Sequence, residues 1–126
     1  MNQKKYELFG LSPRYAAPET FARVYTNNAA PIAADQEKLS DVYSYSVVLW
    51  ELLTKKVPWE GLSAGEIELN VRGGKHLSDP HLGSPARSGL DALMKVCRST
   101  EASQRPQFST TVPRLTTFAQ SVGVIL

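Results

Sequence analysis

Ser40-Asp41-Val42-Tyr43-Ser44-Tyr45-Ser46-Val47-Val48-Leu49-Trp50-Glu51-Leu52-Leu53-Thr54 is the stretch that decides the fold of this chain. Val42, Tyr45, Val48, Leu49, Leu52 and Leu53 recur at the spacing of one helical face, and Tyr43, Val47 and Trp50 fill much of the other. A helix that is apolar nearly all round is buried on every side or lies in a membrane. Val42–Leu53 is too short for a bilayer, which takes about 20 apolar residues. The spacing therefore predicts a central core helix. Ser40 or Asp41 caps its start, Lys55-Lys56 suit the negative end of its dipole, and Pro58 stops it.

Downstream, Ser63-Ala64-Gly65-Glu66 is a capping box that opens a short helix to about Arg72, ended by Gly73-Gly74. His76–Gly83 reads as loop. Ser84 as cap and Pro85 at the first helical position open another helix, with Leu90, Leu93, Met94 and Cys97 on one stripe. Ser99–Gln107 is a polar connection. A last helix is expected from about Ser109 to Ser121, with Phe108, Val112, Leu115, Phe118 and Val122 inward and Pro113 early enough to cost little. Upstream, Gly10, Pro13 and Pro18 make residues 1–20 a lead-in and loop, Thr20 to about Tyr25 a short helix, and Asn27–Asp35 a loop. The fold class is all-α: four main helices joined by long loops, with no convincing strand.

Composition bounds what such a fold can do. At 126 residues and 13.9 kDa the chain can bury one core without staples, and 42% hydrophobic with 21% charged residues is ordinary for a soluble globular protein. Lys and Arg number 14 against 12 Asp and Glu, a formal net charge of +2, too weak a bias to indicate nucleic acid or an anionic membrane. A single cysteine, Cys97, excludes an internal disulfide framework, and one Cys with two His argues against a zinc site. Met1–Lys5 is charged with no apolar run behind it, so no signal peptide is read there. These features favour a reducing, cytoplasmic setting. His76 and His81 at i, i+5 are read as solvated loop residues, Cys97 as a small core residue, and Gly73-Gly74-Lys75 as a helix stop rather than a phosphate loop. Tyr6, Ser12 and Thr20 are read as exposed hydroxyls.

Four strings, in order, resemble the C-terminal lobe of a eukaryotic-type protein kinase domain. Ser12-Pro13-Arg14-Tyr15-Ala16-Ala17-Pro18-Glu19 resembles the end of an activation segment with its Ala-Pro-Glu signature. Ser40–Thr54 resembles the family's central helix F. Val57-Pro58-Trp59-Glu60-Gly61 and the capping box resemble the approach to helix G. Cys97-Arg98 with Gln104-Arg105-Pro106-Gln107-Phe108 resembles the link between helices H and I. Ser12 before Pro-Arg-Tyr is similar to serine/threonine-type kinases, and Trp50, Pro58-Trp59 and Arg105–Phe108 to the tyrosine-kinase-like group, with its integrin-linked, MLK and Raf-like members. Departures are Ser46 where the family usually has Gly, Leu11 in place of a common Gly, and a longer stretch between Glu19 and Asp41.

The resemblance implies roles for particular residues. Ser12, Pro13, Arg14 and Tyr15 would form the P+1 loop that docks a protein substrate, and Trp59 would stand in the approach to helix G. Glu19 and Arg105 would form a buried ion pair, a pairing suited to the bidentate guanidinium–carboxylate geometry. Asp41 would accept catalytic-loop amides, unless it is simply a helix cap. The resemblance covers roughly residues 10–118, so residues 1–126 are expected to be a partial kinase domain about half the usual length. Its family uses ATP and magnesium to phosphorylate protein Ser/Thr. This chain has no Gly-rich loop, no Val-Ala-Ile-Lys-like strand, no His-Arg-Asp loop and no Asp-Phe-Gly, Phe9-Gly10 being preceded by Leu8. It is therefore expected to bind no cofactor and to be inactive alone. Its expected partner is the rest of a kinase domain or another protein. The alternative is a pseudokinase-like binding module without catalysis. Tyr43, Val47 and Trp50 are expected to need cover that this chain lacks.

Overall fold

The computed structural model describes residues 11–26, 34–78, 85–111 and 113, with side-chain surroundings for 11–23, 37–78, 91–111 and 113. Four helices follow in order: α1 (Pro18–Thr26), α2 (Ala34–Thr54), α3 (Ala64–Arg72) and α4 (Pro85–Cys97). A 3-10 turn (Ala102–Gln104) and helical residues at 108–111 and 113 follow, and no strand occurs among the described residues. None of the described helices is long and apolar enough to cross a membrane.

Two helices begin earlier than the sequence predicts. Pro18, read as a breaker, is the first residue of α1. Its fixed φ suits the N1 position, and its missing N–H is one no helix would use there. The Thr20 and Phe21 amides close the turn on the Ala17 carbonyl at 3.1 and 3.4 Å. The helix α2 starts at Ala34, so Ala34 and Asp35 are helical rather than loop and Ser40 and Asp41 lie inside the helix rather than at its cap. Good helix formers at Ala34, Gln36, Glu37 and Lys38 carry it back. The capping box forms as read: the Ser63 hydroxyl accepts the Glu66 amide at 3.2 Å, and the Ser63 amide donates to Glu66 at 3.1 Å. Ser84, His81, residues 1–10, the 27–33 stretch and the last helix beyond Pro113 lie outside the described residues.

The 21-residue α2 runs through the middle of the molecule. One side meets residues 11–21 and α3, through a cluster that includes Leu11, Ala17, Phe21, Tyr43, Val47, Ile67 and Val71. The other side packs on α4, where Leu93, Met94 and Cys97 are wholly buried against Val42, Leu49 and Trp50. Tyr43, Val47 and Trp50 are thus each only 4% exposed, covered from within the chain. The expectation that these three lack cover is corrected. The Trp50 indole donates to the Ser78 carbonyl at 2.7 Å. The uncovered stripe of α2 is a different one: Val48 at 41% and Leu52 at 69% exposure, with exposed Asp41 two turns before Val48. Ser46, at 1% exposure, fits the core because its hydroxyl donates to the Tyr43 carbonyl one turn back.

Candidate functional site

The stretch Ser12–Tyr15 forms a ridge between two open grooves. Two local turns shape it, with the Tyr15 amide on the Ser12 carbonyl at 3.0 Å and the Ala16 amide on Pro13 at 3.5 Å. Side chains then fasten it to the scaffold. The Tyr15 phenol donates to both Glu51 carboxylate oxygens at 3.0 and 3.2 Å, and the Ser44 hydroxyl of α2 donates to the Tyr15 carbonyl at 2.8 Å. Burial and the Glu51 carboxylate push the Tyr15 phenol up, against a smaller downward pull from Arg14. Arg14 Nη1 donates to the Pro58 carbonyl at 2.6 Å and the Trp59 carbonyl at 3.0 Å.

The first groove, about 500 Å³, lies between this ridge and the start of α3. Leu11, Pro13, Leu62, Ala64 and Ile67 line it together with Ser12, Arg14, Tyr15 and Ser63, so polar and apolar groups share its surface. The second, about 510 Å³, lies between the ridge, α1 and α2, where Leu11, Ala16 and Val48 line it beside polar residues including Thr20, Arg23, Glu37, Asp41 and Ser44. Asp41 is exposed there and caps nothing, so the N-cap reading of Asp41 is corrected. Trp59, half-buried against the first core cluster, belongs to the turn that carries the chain from α2 to α3.

Glu19 and Arg105, 86 residues apart, meet in a bidentate pair: Nη1 to Oε2 at 2.7 Å and Nη2 to Oε1 at 2.9 Å. The arginine side chain is completely buried and the carboxylate 38% exposed. Every guanidinium donor is used, because Nε reaches the Ser99 carbonyl at 2.8 Å, Nη1 the Leu39 carbonyl at 3.0 Å and Nη2 the Thr100 carbonyl at 3.3 Å. The same guanidinium lies over the Tyr43 ring, 5.1 Å from its centroid. Ser40 Oγ adds a 2.6 Å bond to Glu19 Oε2. Burial raises the Glu19 pKa, but the hydrogen bonds from Arg105 and Ser40 outweigh it and hold the carboxyl below its ordinary value.

The sequence reading missed Ser40, Ser44 and Glu51 as members of this arrangement. Glu51 carried a signal, being the one acid in the apolar run Val42–Leu53. Ser40 carried a misleading one, since a serine before an apolar run also reads as a cap. No group of three or more His, Cys, Asp or Glu suited to a metal occurs among the described residues. The amides of Gly73, Gly74 and Lys75 all donate to carbonyls of α3, at 3.1, 3.1 and 2.9 Å, so they are spent on ending the helix and cradle no phosphate.

The structure thus locks the carboxylate of the Ala-Pro-Glu string to the guanidinium of the Arg-Pro string. Residues 2–115 match the model of the protein tyrosine and serine/threonine kinase family. The chain belongs to that family. It is 33% identical over 117 residues to a Dictyostelium discoideum protein described as "Probable serine/threonine-protein kinase drkD", covering 88% of this chain and 9% of that protein. It is 31% identical over 106 residues to scaffold protein ILK of Homo sapiens, covering 82% of this chain and 21% of that one. Over 72 residues it is 40% identical to the mitogen-activated protein kinase kinase kinase mlk-1 of Caenorhabditis elegans, covering 56% of this chain and 6% of that one. The chain spans no more than about a fifth of the length of each of these relatives.

Proposed function

We propose that residues 1–126 are the C-terminal-lobe part of a serine/threonine protein kinase domain, with α2, α3 and α4 as helices F, G and H and Phe108 opening helix I. The observation that carries this reading is the bidentate Glu19–Arg105 pair, which joins the Ala-Pro-Glu and Arg-Pro strings through a fully buried guanidinium. On this reading the groove between Ser12–Tyr15 and α3 docks a protein substrate, and the exposed Val48–Leu52 stripe of α2 is where the remainder of a kinase domain packs. A lone, fully buried Cys97 supports a reducing, cytoplasmic setting.

Phosphoryl transfer is mostly electrostatic stabilisation and positioning of the phosphates, and none of the sequence elements for that work occurs in these 126 residues. The purified chain is therefore inactive by itself and holds neither ATP nor magnesium. A radiolabelled ATP assay with Mg²⁺ and a Ser/Thr peptide tests this: no transfer above the no-protein blank is expected, and turnover would overturn it. A second reading, a non-catalytic binding module, is favoured by the likeness to a protein described as a scaffold. The full-length protein that carries this chain separates the two, because ATP-dependent phosphorylation supports the first reading and nucleotide-independent partner binding without turnover the second.

A further inference from the structure

The turn between α2 and α3 holds three residues at positive φ within seven positions: Lys55 at 56°, Trp59 at 53° and Gly61 at 83°. Glycine adopts this conformation freely, but a bulky L residue does so at a steric cost. Something must therefore hold Trp59. Its carbonyl accepts the Leu62 amide at 3.2 Å, which closes the turn locally. The long-range hold comes from Arg14, whose Nη1 bridges the Pro58 and Trp59 carbonyls at 2.6 and 3.0 Å. Among the described residues this guanidinium has no carboxylate partner; its hydrogen bonds go to those two backbone oxygens.

The position of this bond matters because Leu62 and Ala64 follow the strained turn directly and, with Ile67, form one wall of the first groove. Leu11, Pro13 and Tyr15 form the opposite wall, and Arg14 reaches from it to the base of the other. We propose that Arg14 is a positioning residue: by holding Trp59 in its left-handed conformation it sets the separation of the two walls, and so which side chains of a protein substrate the groove accepts. This rests on the docking reading of the groove given above. Arg14 acts through the Pro58-Trp59 turn and needs no direct contact with the substrate.

Hydrogen–deuterium exchange on the 126-residue chain tests the positioning. Arg14→Ala should speed exchange of the Leu62 and Ile67 amides about tenfold, the loss expected for charge-assisted hydrogen bonds, while Met94 and Cys97 in α4 stay protected. Arg14→Lys, which keeps a charge and one of the two bonds, should rescue part of that protection, and it gives a graded readout if the alanine variant does not fold. In a Trp59→Gly background, where left-handed φ needs no holding, the effect of Arg14→Ala should shrink to less than about threefold, since the two changes are coupled. Unchanged protection at Leu62 and Ile67, loss spread equally over α4, or additive effects of the two substitutions would overturn the role given to Arg14. An array of Ser/Thr-centred peptides probed with the same proteins reads the docking site separately. Selective binding by the wild-type chain that Arg14→Ala broadens supports both statements. An array silent with the wild-type chain overturns the docking reading, whatever the exchange shows.

Discussion

Replacing Glu19 by alanine removes two of the five acceptors around a guanidinium that has no access to water. Three carbonyls, those of Leu39, Ser99 and Thr100, remain, and so does the charge. Leaving a buried charge without its counter-ion costs about 3–5 kcal/mol. The carboxylate is 38% exposed, so water can move into part of its place, and the lower end, about 3 kcal/mol, is expected. Urea unfolding followed by tryptophan fluorescence reads this directly, as a lower midpoint at unchanged slope. Arg105→Ala should cost a similar amount, and the double variant should cost no more than either single one, because each change alone already removes the pair. The pair also predicts a pH dependence. Hydrogen bonds from Arg105 and Ser40 hold the folded Glu19 pKa below its ordinary 4.5. Between those two values the unfolded chain binds the proton and the folded one does not, so stability rises with pH across that window. The pair's contribution is fully present above pH 4.5 and is lost as pH falls through the folded value. The acid arm should therefore flatten in Glu19→Ala. A Glu19→Ala protein within about 0.5 kcal/mol of wild type, the range of an ordinary surface change, would refute the reasoning.

Three further outcomes follow from single features. Burial pushes the Tyr43 phenol up to about 12, so its unfolded form loses the proton first as pH rises above 10, and stability should fall between those values; Tyr43→Phe should remove that loss in an alkaline unfolding series. Val48→Glu with Leu52→Lys touches only exposed positions, so it should leave the urea midpoint nearly unchanged while lowering ANS fluorescence and self-association; a wild-type chain that is monomeric and silent to ANS would count against an uncovered face. Ser46→Gly removes a buried hydroxyl bond and raises the backbone entropy lost on folding, so it should destabilise by about 1 kcal/mol in thermal unfolding.

Much of the fold was legible because its signals are local or chemically distinctive. The capping box at Ser63 and Glu66 is a reciprocal pattern within four residues, and it formed as written. The two helix starts were misplaced for the opposite reason: Pro18 and Ser40 each have two structural uses, and only neighbours decide between them. Proline breaks a helix or begins one. Ser40 would cap a helix, but Glu19 claims its hydroxyl, and the helix begins six residues earlier.

The two sides of α2 show where a sequence pattern stops being informative. A helix with apolar residues on nearly every face has little gradient from which to tell the buried side from the open one. Tyr43, Val47 and Trp50 were as plausible an exposed stripe as Val48 and Leu52, and the choice fell the other way because residues 11–21, α3 and α4 occupy the first set of positions. The groove carries the same lesson further. Glu19 and Arg105 could be paired from a family resemblance because both partners are side chains with names in the sequence. Arg14 could not, since its acceptors are the carbonyls of Pro58 and Trp59, and a carbonyl is the same atom in every residue. What makes those two oxygens available is the left-handed backbone at Trp59, a conformation no propensity assigns to tryptophan. The arginine and the strained turn account for each other, and neither is readable alone.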